Sequence, residues 1–89
     1  MAVMVTMTLK TDAATYQAMH GQLLPMAKHE GMLFHSGREA EGGVAIVDFW
    51  PSAEAFQKFM DGPAGEAMQA AGIEPPDDLA ITPVLTADA

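Results

Sequence analysis

The stretch VDFWPSAEAFQKF, residues 47–59, changes period in its middle. Up to Trp50 it alternates, with Asp48 and Trp50 on one side of a strand and Val47 and Phe49 on the other. From Ser52 the apolar residues Phe56, Phe59 and Met60 recur at helical spacing. Pro51-Ser52 marks the switch: Ser52 is an N-cap, and Glu54 puts negative charge in the first turn, where it suits the helix dipole. A strand therefore runs straight into a helix, and the only tryptophan of the chain ends the strand.

Working outward from this stretch fixes the element order. EAEGG, 39–43, has the glycines of a hairpin turn and joins the strand 44–50 to an earlier one, MLFHSGRE, 32–39. At the start of the chain AVMVTMTL, 2–9, alternates Val3, Val5, Met7 and Leu9 against Met4, Thr6 and Thr8. Thr11 or Asp12 then caps a helix carrying Tyr16, Met19, Leu23 and Met26. Pro25 inside that pattern predicts a kink or restart near Leu24, and Gly31 is the stop. Beyond the second helix, Gly62-Pro63 is a break, AGEAMQAAG, 64–72, a further helical piece, and LAITPVLT, 79–86, a last strand. Pro83 confines that strand to a sheet edge. The order β-α-β-β-α-β predicts one ferredoxin-like α+β domain over 1–89, with a four-stranded antiparallel sheet and a frayed end at Thr86 to Ala89.

Composition excludes several classes of function. The net charge is −8 and the four basic residues Lys10, Lys28, Arg38 and Lys58 are scattered. No nucleic-acid footprint exists, and an anionic membrane surface is disfavoured. No apolar run reaches membrane-spanning length, and MAVMVTMTLK lacks a basic leader region, so a cytoplasmic protein is expected. Without cysteine there is neither a disulfide staple nor a thiolate nucleophile, and a chain of 89 residues gains stability by oligomerising.

Both helices of such a fold cover one sheet face. Ala45, Val47 and Phe49 suit that side, because Asp48 beneath a helix is costly unless paired. The open face is then expected to gather Met4, Thr6, Thr8, Leu33, His35, Ile46, Asp48 and Trp50. So apolar a face calls for a second copy packed against it, giving a homodimer with a cavity between sheet and loops.

GMLFHSG, the glycine hairpin, VAIVDFWPSAEAFQKF and the closing ITPVL together resemble the antibiotic-biosynthesis-monooxygenase-like group of dimeric α/β-barrel proteins. The resemblance spans nearly the whole chain. It implies ferredoxin-like subunits whose sheets pack into a dimeric barrel. It also implies chemistry that ranges from cofactor-free oxidation of polyketide anthrones to lactone isomerisation and haem breakdown. Trp50 matches the tryptophan that closes the pocket in the oxygenases. Those enzymes pair it with an asparagine where this chain has Ile46, and this chain contains no asparagine. Haem-degrading relatives also use a histidine on the second helix, in the region of Met60, which points away from haem breakdown here.

His35 and Asp48 are the candidate catalytic bases, and Trp50, Thr6, Thr8, Leu33 and Ile46 the candidate substrate contacts. The expected ligand is a small apolar or aromatic compound, with no cofactor. A base would strip a proton from an activated carbon or phenol, and the anion would react with dioxygen or rearrange. Plainer roles stand beside these: Trp50 as a core anchor, Asp48 paired with Arg38, His20 as structural, His29 as a helix-end cation. His29, Glu30 and His35 lack metal-site spacing, so no metal is expected. The rival class is a non-catalytic metabolite-binding or dimerisation module.

Overall fold

In the computed structural model, which describes residues 1–88, the chain forms an open four-stranded antiparallel sheet with helices on one face. Strands β1 (Val3–Leu9), β2 (Phe34–Ala40), β3 (Gly43–Trp50) and β4 (Ala80–Pro83) lie in the order β2-β3-β1-β4. Helix α1 (Ala13–His29) links β1 to β2, and a broken second helix links β3 to β4. This is the ferredoxin-like arrangement. The sheet has two free edges, β2 and β4, so one chain does not close a barrel.

Local chemistry sets most boundaries. Asp12 caps α1 by accepting from the Thr15 N–H at 2.7 Å, and Ser52 caps α2 (Ala53–Phe59) by accepting from Ala55 at 3.1 Å. The β2–β3 hairpin turns through Glu41-Gly42, and Gly42 sits at φ 85°, a conformation that suits glycine. The predicted break at Pro25 is absent: α1 runs unbroken from Ala13 to His29. The bond lost at Pro25 is the one to the Gly21 carbonyl, and both residues face solvent, where water can serve that carbonyl. The second helix does break as expected. Gly62 (φ −107°, ψ −111°) leaves helical geometry inside a π turn, Met60–Ala64, before α3 (Gly65–Ala70) resumes. The last strand is shorter than predicted and stops at Pro83, which has no N–H for a ladder.

The register corrects the assignment of faces. Val3 pairs with Trp50, Val5 with Asp48, Met7 with Ile46 and Leu9 with Val44. Directly opposed residues share a face. Val44, Ile46, Asp48 and Trp50 therefore lie under the helices with the buried side of β1, not on the open face with Met4, Thr6 and Thr8. Trp50 is fully buried, edge-on to Phe56 (5.8 Å, 66°) and tilted against Phe59 (5.3 Å). Such aromatic pairs add roughly 0.5–1.5 kcal/mol each beyond the area they bury. The open face instead carries Met4, Thr6, Thr8, Val47 and Phe49, with exposed Phe34 edge-on to Phe49 at 5.9 Å. No helix among the described residues is long and apolar enough to cross a membrane.

Candidate active site

Asp48 under the helices meets the condition that makes its burial tolerable, because both of its oxygens are paired. His35 is its register partner on β2, and His35 Nδ1 lies 2.6 Å from Asp48 Oδ1. The indole Nε1–H of Trp50 donates to Asp48 Oδ2 at 3.2 Å. Helix α1 completes the group from above: Tyr16 Oη is 2.5 Å from His35 Nε2. A carboxylate only accepts, so Nδ1 carries the His35 proton; in the neutral ring Nε2 then accepts from the Tyr16 hydroxyl. Trp50, Asp48, His35 and Tyr16 thus form one continuous hydrogen-bonded chain. No buried side-chain polar atom among the described residues is left without a partner.

His20, one helical turn after Tyr16, lies over this chain. Its ring stacks on His35 (5.0 Å, 18°) and on Tyr16 (5.7 Å, 26°). Burial and the neighbouring His35 push its pKa down, against an opposing pull from Asp48. Burial and the Asp48 charge push the Tyr16 phenol up. Both effects favour the uncharged forms at neutral pH.

This polar cluster forms one end of a cavity between α1, the π turn and the sheet. Its volume is about 70 Å³, and Met7, Met19, Leu23, Ile46, Phe59 and Met68 supply apolar walls. That is room for roughly five water molecules or a small organic group. A shallower groove of about 240 Å³ shares His20, Leu24, Met32 and His35 with it and continues past Lys28, Leu33 and Phe34 along the α1–β2 seam.

The residues singled out in the sequence thus part company. His35, Asp48 and Ile46 line the cavity. Leu33 lies in the outer groove, and its N–H donates to the Phe49 carbonyl at 2.8 Å. Trp50 is behind Asp48 in the core and does not face the cavity. Thr6 and Thr8 lie across the sheet, where the Thr8 N–H donates to Asp78 at 2.8 Å. Arg38 is not the partner of Asp48; His35 and Trp50 are. Tyr16 and His20 join the site although the sequence pattern put Tyr16 on the apolar stripe of its helix and His20 in a structural role. Their signal was present: two polar-tipped rings four apart, flanking the apolar stripe of Met19 and Leu23. Among the described residues, no group of three or more His, Asp or Glu side chains is placed to hold a metal ion.

No protein-family model matches the sequence, and no curated protein matches it. Solved structures do. A structural-genomics protein, YJCS, superposes with a TM-score of 0.74 at 14% identity, over 94% of this chain and 99% of its own. SnoaB, a cofactor-independent oxygenase from Streptomyces nogalater, gives 0.64 at 10% identity, over 97% and 93%. A protein from Chloroflexus aurantiacus, provisionally named an antibiotic biosynthesis monooxygenase, gives 0.60 at 15% identity, over 99% and 95%. At these identities the likeness shows the fold alone: the chain shares the ferredoxin-like arrangement of these structures.

Proposed function

We propose that this protein is an acid–base enzyme acting without a cofactor on a small aromatic or polyketide-like compound, as a monooxygenase or an isomerase. The observation that carries this reading is the His35 imidazole, held between Asp48 and Tyr16 at the polar end of an apolar cavity. Asp48 fixes the tautomer and ring angle and stabilises the imidazolium that forms when a proton arrives. The apolar walls offer water few hydrogen bonds, and a bound substrate would displace what water the cavity holds, so that the substrate anion survives long enough to react with dioxygen or to be protonated elsewhere. SnoaB, described as a cofactor-independent oxygenase, lends weight to the oxygenase form.

The working unit in this proposal is a homodimer. Met4, Val47, Phe49 and exposed Phe34 form an apolar sheet face that a second copy would cover. Its basis differs from the sequence expectation, since Ile46 and Trp50 are already buried within one chain.

Anthrone, with its acidic methylene, is the test compound; its three fused rings would extend from the cavity into the adjoining groove along the α1–β2 seam. Purified protein should accelerate exchange of its methylene hydrogens in deuterated buffer without oxygen, and its conversion to quinone in air. His35→Ala should lower both rates by roughly 10²–10⁴-fold, the usual worth of a positioned base. Equal rates in the two proteins would sink the proposal.

A further inference from the structure

His35 is the base suggested by its residue type, yet neither of its nitrogens is free to touch a substrate. Nδ1 is taken by Asp48 and Nε2 by the Tyr16 hydroxyl. Asp48 is equally occupied, with Oδ1 on His35 and Oδ2 on the Trp50 indole. Tyr16 Oη ends the chain: it donates to His35 and keeps lone pairs at the cavity, which Tyr16 itself lines.

A second observation concerns how the phenol reaches that place. Gly37 is two residues beyond His35 on the same side of β2. A Cβ at Gly37 would lie 2.6 Å from Tyr16 Cζ and 3.0 Å from Cε2, and closer still to Oη. Its backbone is not in the positive-φ region, so strand geometry itself does not demand glycine there. The bare backbone is the seat for the end of the Tyr16 ring.

We infer that the substrate's proton is taken up by the Tyr16 oxygen while the hydroxyl proton of Tyr16 passes to His35 Nε2, and that Gly37 is the positioning residue that seats the phenol for this transfer. One substrate–H bond and the old Tyr16 O–H bond break. A new Tyr16 O–H and a His35 N–H form, leaving a substrate anion and an imidazolium beside Asp48. This rests on the acid–base reading above. It assigns Tyr16 as the catalytic group in contact with substrate and makes His35–Asp48 the proton store behind it.

Tyr16 is the only tyrosine, so its ionisation can be followed directly by ultraviolet titration without any substrate. In the wild type it should titrate above its ordinary value of 10.0. Gly37→Ala should fold normally by circular dichroism and move the midpoint back towards that value as the phenol swings outward. With anthrone in deuterated buffer, Tyr16→Phe and Gly37→Ala should each slow exchange by at least tenfold. Gly37→Ala added to Tyr16→Phe should cost nothing further, because both changes act through one hydroxyl. A Gly37→Ala protein with wild-type titration and exchange overturns the seating role. Full exchange in Tyr16→Phe, with exchange lost in His35→Ala, overturns the Tyr16 assignment and leaves the acid–base reading standing. Wild-type protein that catalyses no exchange, or His35→Ala protein that exchanges fully, overturns both.

Discussion

Asp48 and Trp50, two residues apart on β3, are joined side chain to side chain: the indole N–H donates to Asp48 Oδ2 at 3.2 Å. The tryptophan is therefore a buried support behind the carboxylate, itself wedged against Phe56 and Phe59. Its position at the end of the strand serves the site through Asp48, without facing the cavity.

Trp50→Ala should consequently act on folding. Removing a fully buried aromatic costs about 3–5 kcal/mol, and the loss is readable by denaturant melts followed by circular dichroism. Trp50→Phe should cost less but leave Asp48 Oδ2 without its donor. A Trp50→Ala protein as stable as the wild type would contradict the packing described for the indole.

Asp48→Asn keeps the shape and changes the hydrogen bonding. The amide can accept from His35 through its oxygen, but its NH₂ then meets the indole N–H, donor against donor. An unsatisfied buried group costs about 1–3 kcal/mol, so a measurable drop in melting midpoint is expected. Anthrone exchange should fall by roughly 10²–10⁴-fold as the imidazolium loses its counter-charge. An activity loss no larger than the folded fraction accounts for would mean that Asp48 is structural only.

His20 gives a pH dependence of definite sign. Its folded pKa is held below the ordinary 6.5 by burial and by His35. Below that pH the unfolded chain binds a proton that the folded chain resists, so stability falls on acidification and is regained as pH rises towards 6.5. Unfolding measured from pH 7.5 down to about 5 should show this slope weakened in His20→Gln. Identical slopes in the two proteins would remove His20 as its source.

The open sheet face is the surface through which the proposed homodimer would form. If a second copy covers Phe49 and Val47, a charge placed there must be buried unpaired, and Phe49→Glu should give monomers in a sedimentation experiment. Wild-type dimers of this kind bury on the order of 1,200–2,000 Å². A wild-type monomer at micromolar concentration, or a Phe49→Glu protein that still dimerises, would rule out this face.

Much of the fold was legible along the chain because its signals are local. The caps at Asp12 and Ser52, the turn at Gly42 and the break at Gly62-Pro63 each depend on a few neighbouring residues. Pro25 is the exception. A proline inside a helical pattern reads as a break, yet here the displaced carbonyl belongs to exposed Gly21, where solvent absorbs the fault.

The sequence by itself determined the order of elements, the ferredoxin-like class and the pairing of Asp48 with Trp50 on one side of a strand. Only the tertiary structure decided which side that was. A period of two groups residues into faces but does not say which face a helix will cover. That choice came from the register of β3 on β1 and β2, which set Asp48 opposite Val5 and His35. The energy of burying Asp48 likewise depends on a partner brought from elsewhere: His35 from the neighbouring strand, itself held by Tyr16 and covered by His20 from α1. A carboxylate that looks too costly to bury in one strand becomes tolerable once a histidine from the neighbouring strand and the indole two residues along its own strand hydrogen-bond both of its oxygens.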